Sequence, residues 1–276
     1  MGATLGNSVK LVIWDLDETF WQGALAEEGM TPIPRNVEIV RELSKRGIVN
    51  SICSKNDFEQ AKARLAEMGI WDHFVFPAID FKPKGKAIAE LIETAALRPA
   101  NVLFLDDNPS NREEAKFFSP GLMVGDPAAL LPELLEIPQL AGKPDPELTR
   151  LNQYRLLERK ASDRANSVRS NEDFLKSCNI RVTIDHNVEP HFARVVELIN
   201  RTNQLNYTKI RLNSEEEQNQ LRELLGAYSY HAGCVFVTDS YGDYGLVGFF
   251  LMQRRASFNK LIHFVFSCRT MHMGVE

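Results

Sequence analysis

From residue 9 onward, short unbroken apolar runs alternate with stretches whose apolar residues recur every three or four positions. "VKLVIWD" (9–15), "IVNSICS" (48–54), "FVF" (74–76), "NVLFLDD" (101–107) and "GLMVG" (121–125) read as buried strands. Between them, "NVEIVRELSKRG" has helical spacing and stops at Gly47. "NDFEQAKARLAEMG" opens on Asn56 or Asp57 as a cap and stops at Gly69, and "GKAIAELIETAAL" is a third helix. Strand–helix repetition predicts a parallel sheet with helices on both faces, with ligands beyond the carboxyl ends of the strands.

Two segments break the rhythm. Residues 16–34 put no helix after the first strand; "TFWQGALAEEGMTPIP" reads as a small hairpin flap turning near Glu28-Gly29 and closed by Pro32 and Pro34. No stretch within 1–125 is long enough for a large cap, so an open site is expected. After about 136 the pattern becomes a polar, helix-prone connector (137–170). A second unit over 171–276 follows: strand "IRVTIDH" (180–186), helices "EPHFARVVELINRT" and "SEEEQNQLRELLGA", then strands near 231–239, 245–253 and 260–268. The expected domains are therefore 1–136, 137–170 and 171–276.

Composition changes little in this picture. The chain has 276 residues, 44% of them hydrophobic and 25% charged, which is ordinary for a globular protein. A net charge of −5 argues against general nucleic-acid binding. Cys53, Cys178, Cys234 and Cys268 are widely spaced, as reduced thiols of a cytoplasmic protein would be. No run is long enough to span a membrane, and the first residues do not read as a signal peptide.

The chemistry lies at the strand ends. Asp15 and Asp17 end the first strand, Ser54 the second, and Asp106 and Asp107 a later one, while Lys84 opens the third helix. All converge on one rim of such a sheet. Carboxylates gathered in apolar surroundings require a cation between them, and a hard ion such as Mg²⁺ prefers oxygen ligands. Asp15 is placed to attack phosphorus, with Ser54 and Lys84 on the phosphoryl oxygens. Asp17, on the same side of the strand, is placed to move the proton of the leaving oxygen and of water. Lys55 is a further phosphate-binding candidate. Asp-Asp before Asn-Pro would equally suit a helix cap, and by pattern alone Lys82 and Lys86 compete with Lys84. Cys53 alternates away from Ser54, as a core thiol would.

D-x-D-x-T, then Ser, Lys and Asp-Asp, each at a strand end, resembles the haloacid dehalogenase (HAD) superfamily of phosphotransferases. The resemblance implies a Rossmann-like parallel sheet and a magnesium site. It selects Lys84, makes Asp15 the nucleophile and lets Asp17 offer its backbone carbonyl to the metal. Asp107 becomes a direct metal ligand, and Asp106 a direct or water-mediated one.

The strings "WDLDETFWQG", "CSKND", "FKPKGKAI", "FLDDNPSNREE", "TNQLNYTKIRL", "GDYGLVG" and "SCRTMHMGVE" together look like the FkbH-like branch of that superfamily. That likeness implies a second α/β unit resembling a GNAT acyltransferase domain, here incomplete because the chain ends at Glu276. It also implies a phosphatase that loads a glyceryl group from 1,3-bisphosphoglycerate onto an acyl carrier protein. Under it, Cys268 is the first candidate for an acyl-carrying thiol and Cys53 the second. Asn203, Gln204 and Asn206 become candidates for binding the substrate or pantetheine arm, although an Asn-rich loop alone would explain them. Arg150, Arg155, Arg159, Lys160, Arg164 and Arg169 would form a docking face for an acidic carrier. A capless phosphatase acting on a small metabolite or phosphoprotein, and a non-catalytic carrier-binding module, are the alternatives.

Overall fold

The computed structural model describes residues 8–26, 30–166, 171–202, 205–267, 270 and 273–276. The chain divides into two compact units, Met1–Arg159 and Lys160–Glu276. Helix α6 (Thr149–Asn166), within the segment 137–170, runs across the division at Arg159/Lys160. Leu151 and Tyr154 of α6 belong to the first unit's core, whereas Lys160 lies buried in the second unit.

In the first unit, β1 (Leu11–Trp14) is followed by the short strands β2 (Trp21–Gln22) and β3 (Thr31–Pro32), then α1 (Pro34–Lys45) and β4 (Val49–Ser54). Next come α2 (Phe58–Glu67), β5 (Ala78–Ile79), α3 (Lys84–Thr94), β6 (Val102–Leu105), α4 (Pro109–Phe118), β7 (Met123–Gly125) and α5 (Pro127–Leu130). The five parallel strands run in the order β5-β4-β1-β6-β7. The order therefore reverses at β1, and the crevice between the carboxyl ends of β1 and β6 is where such sheets bind ligands. The α/β arrangement expected from the alternating pattern is present. The expected flap is the antiparallel β2–β3 pair, and among the described residues no larger cap is inserted.

Alternation along the strands explains why their runs are continuously apolar. Val12 and Trp14 of β1 enter one core with Ile39, Leu43 and Ile52, while Leu11 and Ile13 enter the other with Val49, Ile88 and Phe104. The Trp14 indole donates to Asn50 Oδ1 at 3.0 Å, and Asn50 donates on to Val40 O, so this polar pair is satisfied inside the core. Helix α2 is capped by Asp57, whose side chain accepts from the Gln60 amide. The run 74–76 does not form the expected strand. Phe74 makes only an isolated bridge to Asn50, Phe76 takes φ +51°, and the edge strand falls at Ala78–Ile79.

The second unit contains α7 (Asn171–Ser177), β8 (Arg181–Asp185), α8 (Phe192–Arg201), α9 (Glu215–Gly226), β9 (Tyr230–Thr238), β10 (Asp243–Arg254) and β11 (Asn259–Phe266). Its four strands form an antiparallel sheet in the order β11-β10-β9-β8. Val195, Leu198, Ile199 and Leu221 of the helices join Cys234, Phe249, Leu251 and Val265 of the sheet in one core. Helix α9 starts with a full capping box between Ser214 and Glu217. Among the described residues, no helix is long and apolar enough to cross a membrane.

His263 sits at 4% exposure beside the Phe249 ring, and burial pushes its imidazole down to about 4. Above its ordinary value of 6.5 it is neutral whether folded or unfolded. Between 6.5 and about 4 only the unfolded chain takes the proton, so stability falls as pH falls through that window, by about 3 kcal/mol in all. His263→Leu is expected to flatten this dependence. All three tryptophans (Trp14, Trp21, Trp71) lie in the first unit. Urea unfolding at pH 7.5 and 5 followed by far-UV circular dichroism, with tryptophan fluorescence as the first unit's separate trace, is the measurement.

Candidate active site

Asp15 continues β1 by one residue, its amide donating to Leu105 O of β6 at 2.9 Å, which fixes it at the switch point. Its Oδ1 accepts from Ser54 Oγ at 2.8 Å and lies 2.6 Å from Lys84 Nζ. The same ammonium reaches Asp106 Oδ2 at 2.7 Å. All four side chains are buried, with Asp106 fully so. Lys84 is the first residue of α3, where the helix dipole opposes a positive charge. Burial also works against that charge, yet the two carboxylates outweigh it and hold the ammonium above its usual range.

Burial pushes Asp15 above the usual carboxylate range, although the Lys84 charge opposes this. Asp107 is pushed up as well, first by burial and then by the Asp106 charge. Carboxylate oxygens of Asp15, Asp106 and Asp107 all lie within 4.8 Å of one another. Lys84 is thus one positive charge against three negative ones. Arg112 does not supply another, since it donates to the backbone carbonyls of Asp106 and Asp107 at 2.6 and 2.8 Å and turns its remaining charge to Asp126. A hard divalent ion fits this all-oxygen, under-neutralised donor set.

Surrounding groups lock the rim. Asp106 accepts from the Asn108 amide at 2.8 Å and from Asn111 Nδ2, on the first turn of α4. Asn108 caps that helix, and Pro109 opens it. The Asp107 amide donates to the buried Thr19 Oγ1 at 3.2 Å. Gly85 lets α3 approach α4 closely, since a Cβ there would meet Phe118 at 2.5 Å and the Glu114 carbonyl at 3.0 Å.

Asp17 lies beside this cluster and faces the flap. Its carboxylate accepts from Trp21 Nε1 at 2.9 Å, the Leu25 amide at 3.0 Å and Asn56 Nδ2 at 3.2 Å. Asn56 also donates to Ser54 Oγ at 3.1 Å, so one amide ties Asp17 to the bond on Asp15. Asn36 of α1 donates to the carbonyls of Thr19 and Phe20, fixing the base of the flap.

The structure decides among the three lysines that the pattern left open. Lys82 is exposed and pairs with Asp80, Lys86 stands over the Phe118 ring, and only Lys84 reaches the carboxylates. Lys55 is exposed, and no ion pair brings it to Asp15. Asn56, Asn111 and Arg112 were not anticipated as site residues. Their signal was there, since each follows a strand end by a few residues, but a short amide or guanidinium declares its target only in three dimensions.

Three expectations are corrected or set aside. Cys53 packs with Val49, Ile88 and Phe104 in the core, and burial pushes its thiol up to about 12, which removes the thiolate an acyl carrier needs. Asn206 is 1% exposed and fully used: it donates to Ile199 O and Ile210 O and accepts from the Lys209 amide, so it braces a loop and has no free group for a ligand. Cys268, Asn203, Gln204 and Arg169 lie outside the described residues. Of the basic docking face, Lys160 is buried on Asp239, Arg155 pairs with Asp72 and Arg150 stacks on Tyr154, leaving Arg159 and Arg164 exposed.

No protein-family model and no curated protein matches the chain. Three solved structures are similar to part of the chain. The N-terminal part of a Bacteroides fragilis protein, containing a phosphatase domain complexed with Mg, is 25% identical over 51% of this chain and 42% of its own, with a TM-score of 0.40. The cobalt-bound deoxy-D-mannose-octulosonate 8-phosphate phosphatase of Haemophilus influenzae is 22% identical over 41% of this chain and 66% of its own, with a TM-score of 0.35. The Moraxella catarrhalis 3-deoxy-D-manno-octulosonate 8-phosphate phosphatase, in complex with magnesium, phosphate and KDO, is 18% identical over 41% and 64%, at 0.33. The chain spans less than two thirds of the length of each.

Lys84→Met leaves Asp15 and Asp106 facing each other without their shared cation. Breaking a buried pair in this way is expected to destabilise the first unit by about 3 kcal/mol. Urea unfolding followed by tryptophan fluorescence measures this; an unchanged midpoint would show the bridge to be energetically idle.

Proposed function

We propose that the first unit is a Mg²⁺-dependent phosphohydrolase that works through a phosphoryl-aspartate on Asp15. The observation that carries this reading is the triangle of Asp15, Asp106 and Asp107 carboxylates, with Ser54 and Lys84 both bonded to one oxygen of Asp15. Asp15, Asp106 and Asp107, with the Asp17 carbonyl, would hold the ion, which when bound neutralises phosphoryl oxygens. The bonds seen on Asp15 fall on Oδ1, so Oδ2 keeps its lone pairs for phosphorus. As the Asp15–phosphorus bond forms, the bond from phosphorus to the alcohol oxygen breaks, and Asp17 gives that oxygen its proton. Asp17 then takes a proton from water, which attacks phosphorus, releases inorganic phosphate and restores Asp15. Lys84 has an ammonium hydrogen beyond the two it gives to Asp15 and Asp106, and Ser54 would turn its hydroxyl from Asp15, to hold the phosphoryl oxygens.

The finer reading is that the substrate is a glyceryl phosphate derived from 1,3-bisphosphoglycerate and that the full chain loads it on an acyl carrier protein. The FkbH-like strings quoted from both units support it, as does a second α/β unit of the kind a GNAT-like domain would supply. The flap's strands, β2 and β3, are two residues each, and a flap this small favours a substrate borne on something large.

Wild-type protein is expected to hydrolyse p-nitrophenyl phosphate with Mg²⁺ and to lose activity in EDTA. Asp15→Asn should lower kcat at least about 1,000-fold, as expected when a nucleophile is removed. Full turnover by that variant would end the reading. Intact-mass analysis of an acyl carrier protein incubated with 1,3-bisphosphoglycerate, Mg²⁺ and the chain separates the finer alternatives. A glyceryl mass gain supports loading, free phosphate alone leaves a plain phosphatase, and neither leaves a binding module.

A further inference from the structure

The antiparallel sheet of the second unit has two edges, and they are treated differently. Along β11 the segment 205–207 closes the edge: Asn206 bridges Val265, the Tyr207 amide donates to Phe264 O, and the Phe266 amide donates to Leu205 O. At the other end β8 pairs with β9 alone, and among the described residues nothing pairs its outer side. An edge strand of this kind offers unpaired backbone donors and acceptors to another strand.

The side chains of β8 say which strand fits. Arg181, Val182, Thr183 and Ile184 are exposed, and Val182 and Ile184 keep 49% and 47% of their surface open. Both project from one face of the sheet, since they pair with Val237 and Val235. Ile184 lies over Gly233 beside Phe250, where a Cβ on the glycine would meet Ile184 at 2.8 Å and Phe250 at 2.6 Å. The sequence Arg-Val-Thr-Ile-Asp is symmetric in character about its centre. Laid antiparallel against a second copy with Thr183 facing Thr183, it sets Arg181 against Asp185 and Val182 against Ile184, twice over. Opposite charges and apolar residues then match at every cross-strand position. Asp185 is available for this although it accepts from His191 at 3.0 Å, because its side chain is 42% exposed.

We propose that β8 pairs with β8 of a second copy across a two-fold axis through Thr183, joining two four-stranded sheets into one of eight strands. The interface is isologous, so it closes at a dimer and grows no further. A five-residue strand buries little surface, so the affinity expected is micromolar.

The test uses the full chain. Sedimentation velocity should show a reversible dimer at about 100 µM and monomer at about 1 µM. Val182→Pro, which removes an amide donor from the outer side of β8, should remain monomeric at both. Arg181→Asp places like charges across the axis and should weaken the dimer, and adding Asp185→Arg to it should restore the dimer. Register is read separately by mild oxidation. Thr183→Cys should cross-link to itself, because directly opposed Cα atoms lie within disulfide range, whereas Val182→Cys should do so only when mixed with Ile184→Cys. A chain that stays monomeric at about 100 µM overturns the proposal, leaving Arg181 and Asp185 as edge protection. Val182→Cys cross-linking alone as fully as Thr183→Cys overturns it equally.

Discussion

One buried ammonium between two carboxylates is the constraint on which the first unit's rim depends. Lys84 stands where burial and helix polarity both oppose its charge, and Asp15 and Asp106 hold it there. Reaching both acids requires α3 to lie hard against α4, which Gly85 permits. The bridge also leaves the cluster short of positive charge. One cation against three acids ties the strand ends together yet leaves the Asp15–Asp107 side suited to a divalent ion.

The parallel sheet was legible because β1, β4 and β6 are continuous apolar runs, as strands buried on both faces must be. The acids were legible because each closes such a run, and strand ends in this architecture share a rim. Short runs were harder. "FVF" is as apolar as a strand, but the left-handed turn at Phe76 displaces pairing to Ala78–Ile79. Helix α4 went unread because Ala115 is the one residue it buries, and its sign was the Asn108-Pro109 cap instead. Three lysines at alternate positions in "KPKGK" were indistinguishable by pattern, since burial selects among them.

Amides misled most. Asn206 sits in a stretch rich in Asn and Thr that reads as a polar binding surface, yet it spends its donors and acceptor on neighbouring backbone. Asn200 does likewise, exchanging two bonds with Leu212. Asn56 shows the opposite case: the same residue type, one turn after a strand, links Asp17 to Ser54. Composition cannot tell these apart, because an amide donates and accepts in any direction and only the surrounding backbone fixes its role.

The two sheets also differ in what they are able to collect. Parallel strands end on one side, so residues far apart in sequence (Asp15, Ser54, Asp106) converge there without a dedicated loop. Antiparallel strands end alternately at opposite sides, so strand ends do not gather on one rim, and among the described residues the cluster of acids able to hold a metal lies in the first unit. What an antiparallel sheet exposes instead is its edges and faces. In this chain one edge is closed by its own loop, and the other carries a charge-balanced apolar strand. Chemistry at strand ends and recognition along strand sides are thus the roles that each topology makes accessible to its sequence.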